Sequence, residues 1–471
     1  MLTAQDRGTA STTSRIASLI RQYDRPGPRY TSYPTAVEFS PDFDEAAYRG
    51  RLQCAAARTT DPLSLYLHLP FCEERCSYCG CAMIATKHRE VATRYLPYLE
   101  REMALLADAL DGRKRVVQMH WGGGTPTYFT ADELRWLGDA VGRHFDIDMA
   151  AECAIEIDPR VTTGDQLTML HHVGFNRLSM GVQDLEAEVQ AAIGRHQTEN
   201  QTRGAYDFAR RLGFSSINVD LVYGLPRQGL TSFRRTVQTI VAMRPDRIAV
   251  YSYAHVPWMR PHQKRIDQSA LPTPALKLEL ISAATETFLR AGYVAIGMDH
   301  FALPEDDLAV ATRERRLHRN FMGYTTQPAT DVIGIGMSAI GDVSGAFAQN
   351  VKKLPAYYKA LEDGRFPIER GYALSPDDAV RRTVITELMC NFHVDFAAIE
   401  ARHGVHVASY FDAELEALSA ANGPVSDGLL EINGASMTVT PRGRLFVRTV
   451  CMHFDKYLPA HRGQTVFSRT V

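Results

Sequence analysis

The sequence lacks any long apolar run, and its charges nearly cancel. No hydrophobic stretch approaches the roughly 20 residues needed to span a bilayer, and the N-terminus lacks the apolar core of a secretory signal. A net charge of -2 over 471 residues gives no general attraction to nucleic acid or to an acidic membrane. We therefore expect a cytoplasmic protein that binds neither. Nothing in the sequence indicates a sustained coiled coil, so we expect a monomer.

The sequence also lacks the cysteine spacing of a disulfide framework. Half of its eight cysteines lie between Cys72 and Cys81, and the other half are scattered at Cys54, Cys153, Cys390 and Cys451. We expect the scattered cysteines to be small buried hydrophobic side chains. A tight cluster in a reducing compartment is more typical of metal binding or catalysis.

The clustered cysteines form a loop after an alternating run, Leu63–Leu69, that is typical of a strand. Cys72, Cys76 and Cys79 have C-x₃-C-x₂-C spacing, and Cys81 follows two residues later. Three thiolates on so short a loop can bind one face of an iron–sulfur cluster and leave one iron open to an outside ligand.

Two other interpretations of the cysteine loop stay open from spacing alone. A zinc site would need a fourth ligand, which Cys81, His68 or His88 could supply. The pair Cys76-x-x-Cys79 could instead act as a redox dithiol. The residues that flank the loop favour the cluster over both.

Strand-like and helix-like runs alternate after the cysteine loop and, with the first pair, make six β–α units. This alternation predicts a parallel sheet with outer helices, and six units over about 230 residues favour an α/β fold with a partial (β/α)6 TIM-like barrel. The predicted strands are 63–69, 116–121, 154–158, 177–182, 217–222 and 248–253. The predicted helices are 90–110, 131–145, 164–173, 198–213, 230–243 and 274–291.

Polar or glycine-rich residues recur where these strands end, which is where barrel enzymes build their sites. Tyr66 and Tyr78 could stack on a purine, and Gly122–Gly124 could let a backbone approach a ligand closely. Glu156, Gln183 and Asp220 could accept hydrogen bonds from ribose hydroxyls or an ammonium group. Alternatively, Glu156 and Asp220 are paired ions in the barrel mouth, and Arg195 is a solvated helix residue.

The rest of the chain divides into three further parts. We expect an N-terminal extension with a substrate-site loop over residues 1–57, followed by the core over residues 58–292. Connecting loops that complete the site are expected over residues 293–370. Residues 371–471 form a mainly helical C-terminal domain with helices at 377–390, 395–403 and 409–420, a hairpin at 429–440 and a last helix from 441 to near 457.

Two patterns in these parts suggest other functions. A type I′ turn is predicted at Asn433-Gly434 in the hairpin. Three helices and a hairpin resemble a winged helix, so the C-terminal domain could belong to a DNA-binding sensor instead of serving as a packing lid. Gly334-x-Gly336-x-x-Ala339 matches a dinucleotide fingerprint, but it lacks a well-placed acidic residue.

The cysteine spacing is the signature of the radical S-adenosylmethionine (SAM) superfamily. Six further segments resemble the family of oxygen-independent coproporphyrinogen III oxidases, and the resemblance runs from about residue 23 to the C-terminus. These segments are Pro28–Thr35, His120–Thr127, Asn176–Asp184, Asn218–Pro226, Gly297–Ala302 and His318–Gln327.

The resemblance implies a set of site residues. Cys72, Cys76 and Cys79 would ligate a 4Fe–4S cluster, and Cys81 would be a fourth, non-ligating cysteine of the catalytic site. Two SAM molecules are implied. Tyr66, also assigned to catalysis, would contact the first together with Gly123, Glu156 and Ala254. The second would contact Tyr78, Gly124, Thr125, Gln183, Arg195, Asp220 and Ile340.

The implied reaction is the oxidative decarboxylation of two propionates of coproporphyrinogen III to vinyl groups, which gives protoporphyrinogen IX in haem biosynthesis. A 5′-deoxyadenosyl radical would remove a hydrogen atom from each propionate, and a low-potential donor such as flavodoxin or ferredoxin would supply electrons. A tetracarboxylate substrate needs cationic anchors, and we nominate Arg29 and Arg319.

The resemblance also extends to relatives with other functions. A related haem chaperone keeps the three cysteines but is shorter at the N-terminus and generally lacks the fourth cysteine. Because this chain has both the Pro28–Thr35 segment and Cys81, the oxidase is favoured. Another radical SAM enzyme that acts on a tetrapyrrole is a further alternative.

Overall fold

The strands place most of the chain around one large sheet. The computed structural model describes residues 18–327, 331–461 and 466–470. Its strands are β1 Leu63–Leu69, β2 Phe71–Cys72, β3 Ile84–Ala85, β4 Arg115–Gly123, β5 Asp146–Ile157, β6 Arg177–Gln183, β7 Ser216–Tyr223, β8 Arg247–Ser252, β9 Val294–Ile296, β10 His300–Ala302, β11 His318–Asn320, β12 Gly323–Thr325, β13 Asp331–Ile335, β14 Ile340–Val343, β15 Ala346–Asn350, β16 Ile368–Ala373, β17 His393–Asp395, β18 Leu430–Asn433 and β19 Ser436–Val439.

Twelve strands form the main sheet in the order β16-β15-β14-β13-β1-β4-β5-β6-β7-β8-β10-β9. The six strands from β1 to β8 in this order are parallel and follow the chain order. They are the six strands predicted from the alternation, so the α/β fold with a (β/α)6 TIM-like core is confirmed. Parallel neighbours bring their carboxyl ends to one face of the sheet.

Helices connect these strands, and three of them begin with the same arrangement. Thr130, Thr163 and Thr198 each accept a hydrogen bond from the backbone N–H three residues later, and the side chain of that residue returns the contact. These capping boxes satisfy N–H groups that a helix start leaves free. The α-helices are Glu45–Ala56, Arg89–Ala109, Ala131–His144, Gly164–Val173, Ala187–Ile193, Glu199–Leu212, Leu230–Met243, Pro274–Arg290, Asp307–Arg313, Leu354–Glu362, Pro376–Asn391, Phe396–His403, Val407–Tyr410, Asp412–Ser419 and Val447–Cys451.

The segment after residue 292 is more ordered than the predicted connecting loops. β13 pairs in parallel with β1, from Leu63 opposite Asp331 to Leu67 opposite Ile335. β14, β15 and β16 then extend the sheet with antiparallel strands. These strands were not predicted from the sequence, because β13 and β15 are buried on both faces and their residues do not alternate between apolar and polar.

The dinucleotide-like glycines lie at the corner after β13. Gly336 has a left-handed φ of 102°. A Cβ atom there would lie 2.5 Å from the Tyr95 hydroxyl and 2.7 Å from the His68 carbonyl oxygen. Glycine is therefore required here by internal packing, which explains the motif without a nucleotide.

The C-terminal unit has the predicted helices, but its hairpin and last helix differ from the prediction. Asn433 pairs with Ser436, so the two-residue turn is Gly434-Ala435, and neither Asn433 nor Gly434 has the positive φ that a type I′ turn requires. The last helix is broken into short helical turns over 443–446, 447–451 and 452–454. β17 adds a third strand to the hairpin.

The N-terminal segment packs on this C-terminal unit. Tyr30 and Tyr33 belong to its buried core, and the guanidinium group of Arg448 donates hydrogen bonds to the carbonyl oxygens of Gly27 and Pro28 at 2.5 and 2.9 Å. The N-terminal segment is thus held in place by residues near the C-terminus of the chain. Residues 18–23 are helical, whereas the rest of the predicted N-terminal tail lies outside the described residues. The four-part domain division remains a prediction.

Within the described ranges, none of the helices combines the length and the apolar character that crossing a bilayer requires.

Candidate active site

The cysteine loop begins at the carboxyl end of β1 and is held from several sides. Thr125 Oγ1 lies 3.2 Å from Cys72 Sγ. Farther along the loop, the backbone N–H of Ser77 donates to the carbonyl of Ile193 at 2.8 Å. The carbonyl of Cys79 lies 2.7 Å from a ring nitrogen of His262. These contacts fix the loop over the C-terminal face of the sheet.

The loop cysteines are free thiols in an electropositive setting. Guanidinium groups of Arg160 and Arg195 each lie 3.9 Å from Cys76 Sγ. A hydrogen bond from the Cys81 thiol stabilises the Cys79 thiolate, so it lowers the pKa of Cys79 and raises that of Cys81. Burial raises the pKa of Cys72 to about 12. Nearby cations stabilise thiolates, the form that binds iron.

The three cysteines suit a cluster better than a single metal ion. In the described part of the chain, no group of three or more His, Cys, Asp or Glu side chains is arranged to hold one ion. Two of the three candidate fourth ligands of a zinc site are unsuited, because His68 is engaged by Tyr66 and Ala82 and His88 lies exposed beside Glu90. In a 4Fe–4S cluster each cysteine binds a different iron, so the sulfur atoms do not have to converge.

The scattered cysteines are mostly as expected. Cys153, Cys390 and Cys451 are buried, whereas Cys54 is exposed on the helix Glu45–Ala56. The prediction was wrong for Cys54 because the helix turns this position away from the core.

A hydrogen-bonded chain ties β1 to the end of the cysteine loop. His68 Nε2 lies 2.8 Å from the carbonyl oxygen of Ala82, and His68 Nδ1 lies 2.9 Å from the Tyr66 hydroxyl. Burial lowers the pKa of His68, so the ring is neutral. A carbonyl can only accept, so Nε2 carries the hydrogen and Nδ1 accepts from Tyr66. The Tyr66 oxygen keeps a lone pair for a ligand.

The glycine turn after β4 packs against the cysteine loop. A Cβ on Gly124 would lie 2.6 Å from the backbone of Pro70, and the N–H groups of Gly124 and Thr125 donate to the carbonyls of Leu69 and Phe71 at 2.9 and 2.8 Å. We predicted that these glycines make room for a ligand, but this explanation is incomplete. At Gly124 the close neighbour is the protein's own backbone.

Glu156 on β5 faces this turn. Its carboxylate accepts from the Gly123 N–H at 3.1 Å and lies 3.3 Å from His120 Nε2. Burial alone would raise the pKa of Glu156, but these hydrogen bonds and the His120 ring lower it below its usual value. Its side chain is 42% exposed, so an ionised oxygen remains accessible. Tyr66 lies next to it, with its ring 6.0 Å from the His120 ring.

Arg195 is not the solvated helix residue that we considered. It follows the short helix Ala187–Ile193 and is only 4% exposed. Its guanidinium forms two 3.1 Å contacts with Asp158 and donates to the Gly181 carbonyl at 2.7 Å. Gln183, which has a left-handed φ of 69°, also lies over Gly181. Gln183 and Arg195 therefore meet beside Cys76.

Asp220 lies inside the barrel, where it lines a polar cavity with Glu156, His120, Tyr251 and other residues. It accepts hydrogen bonds from Ser179 and Asn218 at 3.1 and 2.8 Å. Burial, together with the negative charge of Glu156, raises the pKa of Asp220 to about 6. Of the paired ions that we considered, Glu156 contacts the ring of His120, whereas Asp220 forms no ion pair within the described residues. They line one polar cavity open to a ligand.

The remaining predicted contact residues lie around the same face. Gln263 Nε2 donates to the carbonyls of both Tyr78 and Ala254, at 3.1 and 3.3 Å, and so links the cysteine loop to the end of β8. Ile340 lies on the other side, where its backbone abuts Gly334, the β13 partner of Tyr66.

Arg29 and Arg319 lie together at the rim of the barrel. Arg319 donates weakly to the Arg29 carbonyl at 3.5 Å, and its Nε is buried without a hydrogen-bond partner. Arg29 lies over the Tyr251 ring at 6.0 Å. Both arginines, after His300, lower the pKa of Asp299 against the effect of its burial.

Sequence reasoning missed some residues that shape the site. His120 precedes the glycine turn and holds Glu156. Arg160, two residues after Asp158, forms a 2.6 Å ion pair with it. Tyr251 lies on β8 at the cavity wall. The only sequence signal was their position next to the strand ends.

Comparison with known proteins gives the class of the core first. Residues 66–240 match the model of the radical SAM superfamily, and residues 374–446 match the HemN C-terminal domain. The barrel and its cysteine loop are thus those of a radical SAM protein.

Full-length relatives then give the family. The oxygen-independent coproporphyrinogen III oxidase of Escherichia coli K12 is 44% identical over 455 residues, covering 96% of this chain and 98% of the relative. That of a Synechocystis species is 42% identical over 467 residues, covering 98% and 99%. The solved structure of the E. coli coproporphyrinogen III oxidase, described as a radical SAM enzyme, has a TM-score of 0.88 and 43% identity, and the match covers 94% of this chain and 98% of that one. The chain belongs to the family of oxygen-independent coproporphyrinogen III oxidases.

Proposed function

We propose that this protein is a radical SAM oxidoreductase that converts coproporphyrinogen III to protoporphyrinogen IX without oxygen, in haem biosynthesis. Two propionate side chains are each oxidatively decarboxylated to a vinyl group. The observation that carries this proposal is the match to the oxidases over nearly the whole chain. The loop of three free cysteines beside the polar barrel cavity supports it.

Cys72, Cys76 and Cys79 hold the 4Fe–4S cluster in this proposal. When bound, the cluster and SAM together supply a carbon-centred adenosyl radical. The protein's own contribution is a loop fixed by Thr125 and His262 and two arginines that offset negative charge at Cys76. Cations beside thiolates favour a reduced, more negative cluster.

Two SAM molecules are proposed. Glu156, ionised and accessible, would bind the ammonium group of the first, and Tyr66, Gly123 and Ala254 would complete its site. The second would lie on the side of Arg195, whose charge suits a carboxylate. Its other contacts are Tyr78, Gly124, Thr125, Gln183, Asp220 and Ile340.

The substrate would bind above the barrel cavity. Arg29 and Arg319 anchor propionates there, because neither forms an ion pair within the described ranges. Tyr66 and Cys81 complete the catalytic group. Tyr66 offers its free lone pair, and Cys81 keeps its proton, because its pKa is raised beside Cys79. The overlying N-terminal segment and C-terminal unit exclude water from a reactive radical.

We further propose that the protein acts as a monomer in the cytoplasm. Each turnover consumes an electron at low potential, so a flavodoxin or ferredoxin type of donor is the expected partner.

An anaerobic assay tests the function. The reconstituted protein receives SAM, a reductant and coproporphyrinogen III, and protoporphyrinogen and 5′-deoxyadenosine are measured. Wild-type protein should form both. Cys79→Ala should form neither, while Cys54→Ala, which removes an exposed thiol elsewhere, should match wild type. Tight haem binding without turnover by wild type would contradict the oxidase and favour the chaperone.

A further inference from the structure

Three cations lie side by side over aromatic rings at the barrel rim. Lys277 Nζ is 5.7 Å from the centre of the Tyr223 ring. Arg29 is 6.0 Å from that of Tyr251, and Arg319 is 4.9 Å from that of Tyr324. We call Lys277, Arg29 and Arg319 the cationic row. Nothing in the sequence singled out Lys277, which lies in the first turn of the helix Pro274–Arg290.

The strand register places the cationic row on neighbouring elements. Tyr223 ends β7, and Tyr251 lies on β8, one residue from the position opposite Tyr223. The Tyr223 backbone carbonyl accepts from the Tyr253 N–H at 2.8 Å. The electrostatic effect of Arg29 on both Tyr223 and Lys277 shows that the two cations share one region.

The Tyr251 ring lines the polar cavity of the barrel, and we call the space above this ring the cleft. Burial raises the pKa of Tyr223 and of Tyr251, yet both side chains retain solvent-accessible surface. Lys277 is also only half-buried, and its stem crosses Gly224, where a Cβ would lie 2.8 Å from Lys277 Cε. Gly224 therefore lets the lysine reach over the strand end into the cleft.

Carboxylates act on the cationic row only through their charge, Asp299 on the two arginines and Asp24 on Lys277. Within the residues that the structure describes, none of the three cations is ion-paired. Lys277 has one long hydrogen bond, 3.4 Å to the Tyr253 carbonyl, and Arg319 Nε has none. The nearby carboxylates are already engaged, Asp24 with Arg469 at 2.5 Å and Asp299 with His300 at 2.7 Å.

Grouped cations with unused donors require an anion, since burying like charges together is costly. The ligand must also reach the radical chemistry. The position of Tyr251 connects the cationic row to the site, because this residue lies under Arg29 and also lines the cavity that contains Glu156 and Asp220. An anion bound by the row would therefore lie next to this cavity.

We propose that Lys277 is a third substrate anchor and binds a propionate carboxylate of the porphyrinogen. This inference rests on the proposed function. Lys277 lies on the helix Pro274–Arg290, and Arg319 lies on β11. A row of three cations matches a ligand that carries several carboxylates around a broad ring.

The test uses the reconstituted holoenzyme without SAM, so that no turnover occurs. The probes are coproporphyrin III, the oxidised tetracarboxylate, and its neutral tetra-amide, each titrated anaerobically and followed by absorbance. Lys277→Met keeps the side-chain length and removes the charge. Lys277→Arg keeps the charge. Arg290→Met, at the exposed end of the same helix, is the control.

Lys277→Met should weaken coproporphyrin binding by about tenfold or more, the range for losing a hydrogen bond to a charged group, and should leave amide binding unchanged. Lys277→Arg should restore most of the loss, and Arg290→Met should match wild type. In turnover, Lys277→Met should raise KM more than it lowers kcat.

Equal binding of the acid by wild type and Lys277→Met would overturn the inference, as would an equal loss for acid and amide, which indicates a structural role. Absence of turnover by wild type would reject the proposed function instead, and the binding comparison would still report on Lys277.

Discussion

Asp158 should be among the most sensitive charges in the core. It is 7% exposed and accepts hydrogen bonds from the guanidinium groups of Arg160 and Arg195 and from the backbone N–H of Arg160. Both arginines also approach Cys76. Asp158→Asn keeps the shape but leaves two guanidinium groups, 17% and 5% exposed, without their shared counter-ion.

Removing one partner of a buried ion pair costs about 3–5 kcal/mol, and we take about 4 kcal/mol. The shift in Tm is this free energy divided by the unfolding entropy, which is about 2.1 cal/mol/K per residue. If all 471 residues unfold as one unit, the Tm of the variant should be about 4 °C lower than that of wild type. If the predicted core of residues 58–292 unfolds alone, the loss should be about 8 °C. The shift thus also tests the predicted domain division.

The assay is thermal unfolding of the cluster-free protein, followed by circular dichroism. Asp139→Asn, at an exposed position on the helix Ala131–His144, removes the same charge and should shift Tm by less than about 1 °C. If Asp158→Asn also unfolded within about 1 °C of wild type, the ion-pair argument for this side of the site would be wrong.

Two further predictions concern the packing around the site. Gly124→Ala places a Cβ against the Pro70 backbone, so it should cost about 1–3 kcal/mol and reduce the iron bound per chain on reconstitution. Gly142→Ala, which meets no atom within 4 Å, is the control, and equal iron content in both would contradict the steric argument. Glu102 is buried, and its pKa is raised from 4.5 to about 7, because burial outweighs hydrogen bonds from Tyr357, Gly336 and Asn350. The folded state therefore binds more protons than the unfolded state between these values, and stability should fall as pH rises through this window. Wild type should lose up to about 3 kcal/mol relative to Glu102→Gln, measured as Tm against pH. If the curves of Tm against pH for wild type and Glu102→Gln were parallel, the raised pKa of Glu102 would be refuted.

The core was predictable because each of its units is local. β1 alternates, several core helices begin at threonine caps, and the cysteine loop follows β1 directly, so short windows contain the whole signal. The same holds for the polar strand ends Glu156 and Asp220.

The rest depends on partners distant in the sequence. Arg195 is a buried residue only because Asp158 lies beneath it, and the helix before it has just seven residues. Asn433-Gly434 has the composition of a type I′ turn, but the pairing of Asn433 with Ser436 moves the turn by one residue. No local pattern could show that Lys277 and Arg29, separated by most of the barrel in sequence, share one cleft.

The position of β13 has a consequence for synthesis. β1 is complete at Leu69, but the strand that covers one of its edges is Asp331–Ile335. At about 5–20 residues per second, roughly 13 to 50 s pass on the ribosome between the two. During that time β1 has an open edge, next to the cysteines. An unpaired edge is a template for aggregation, so a chain released before β13 is made should aggregate.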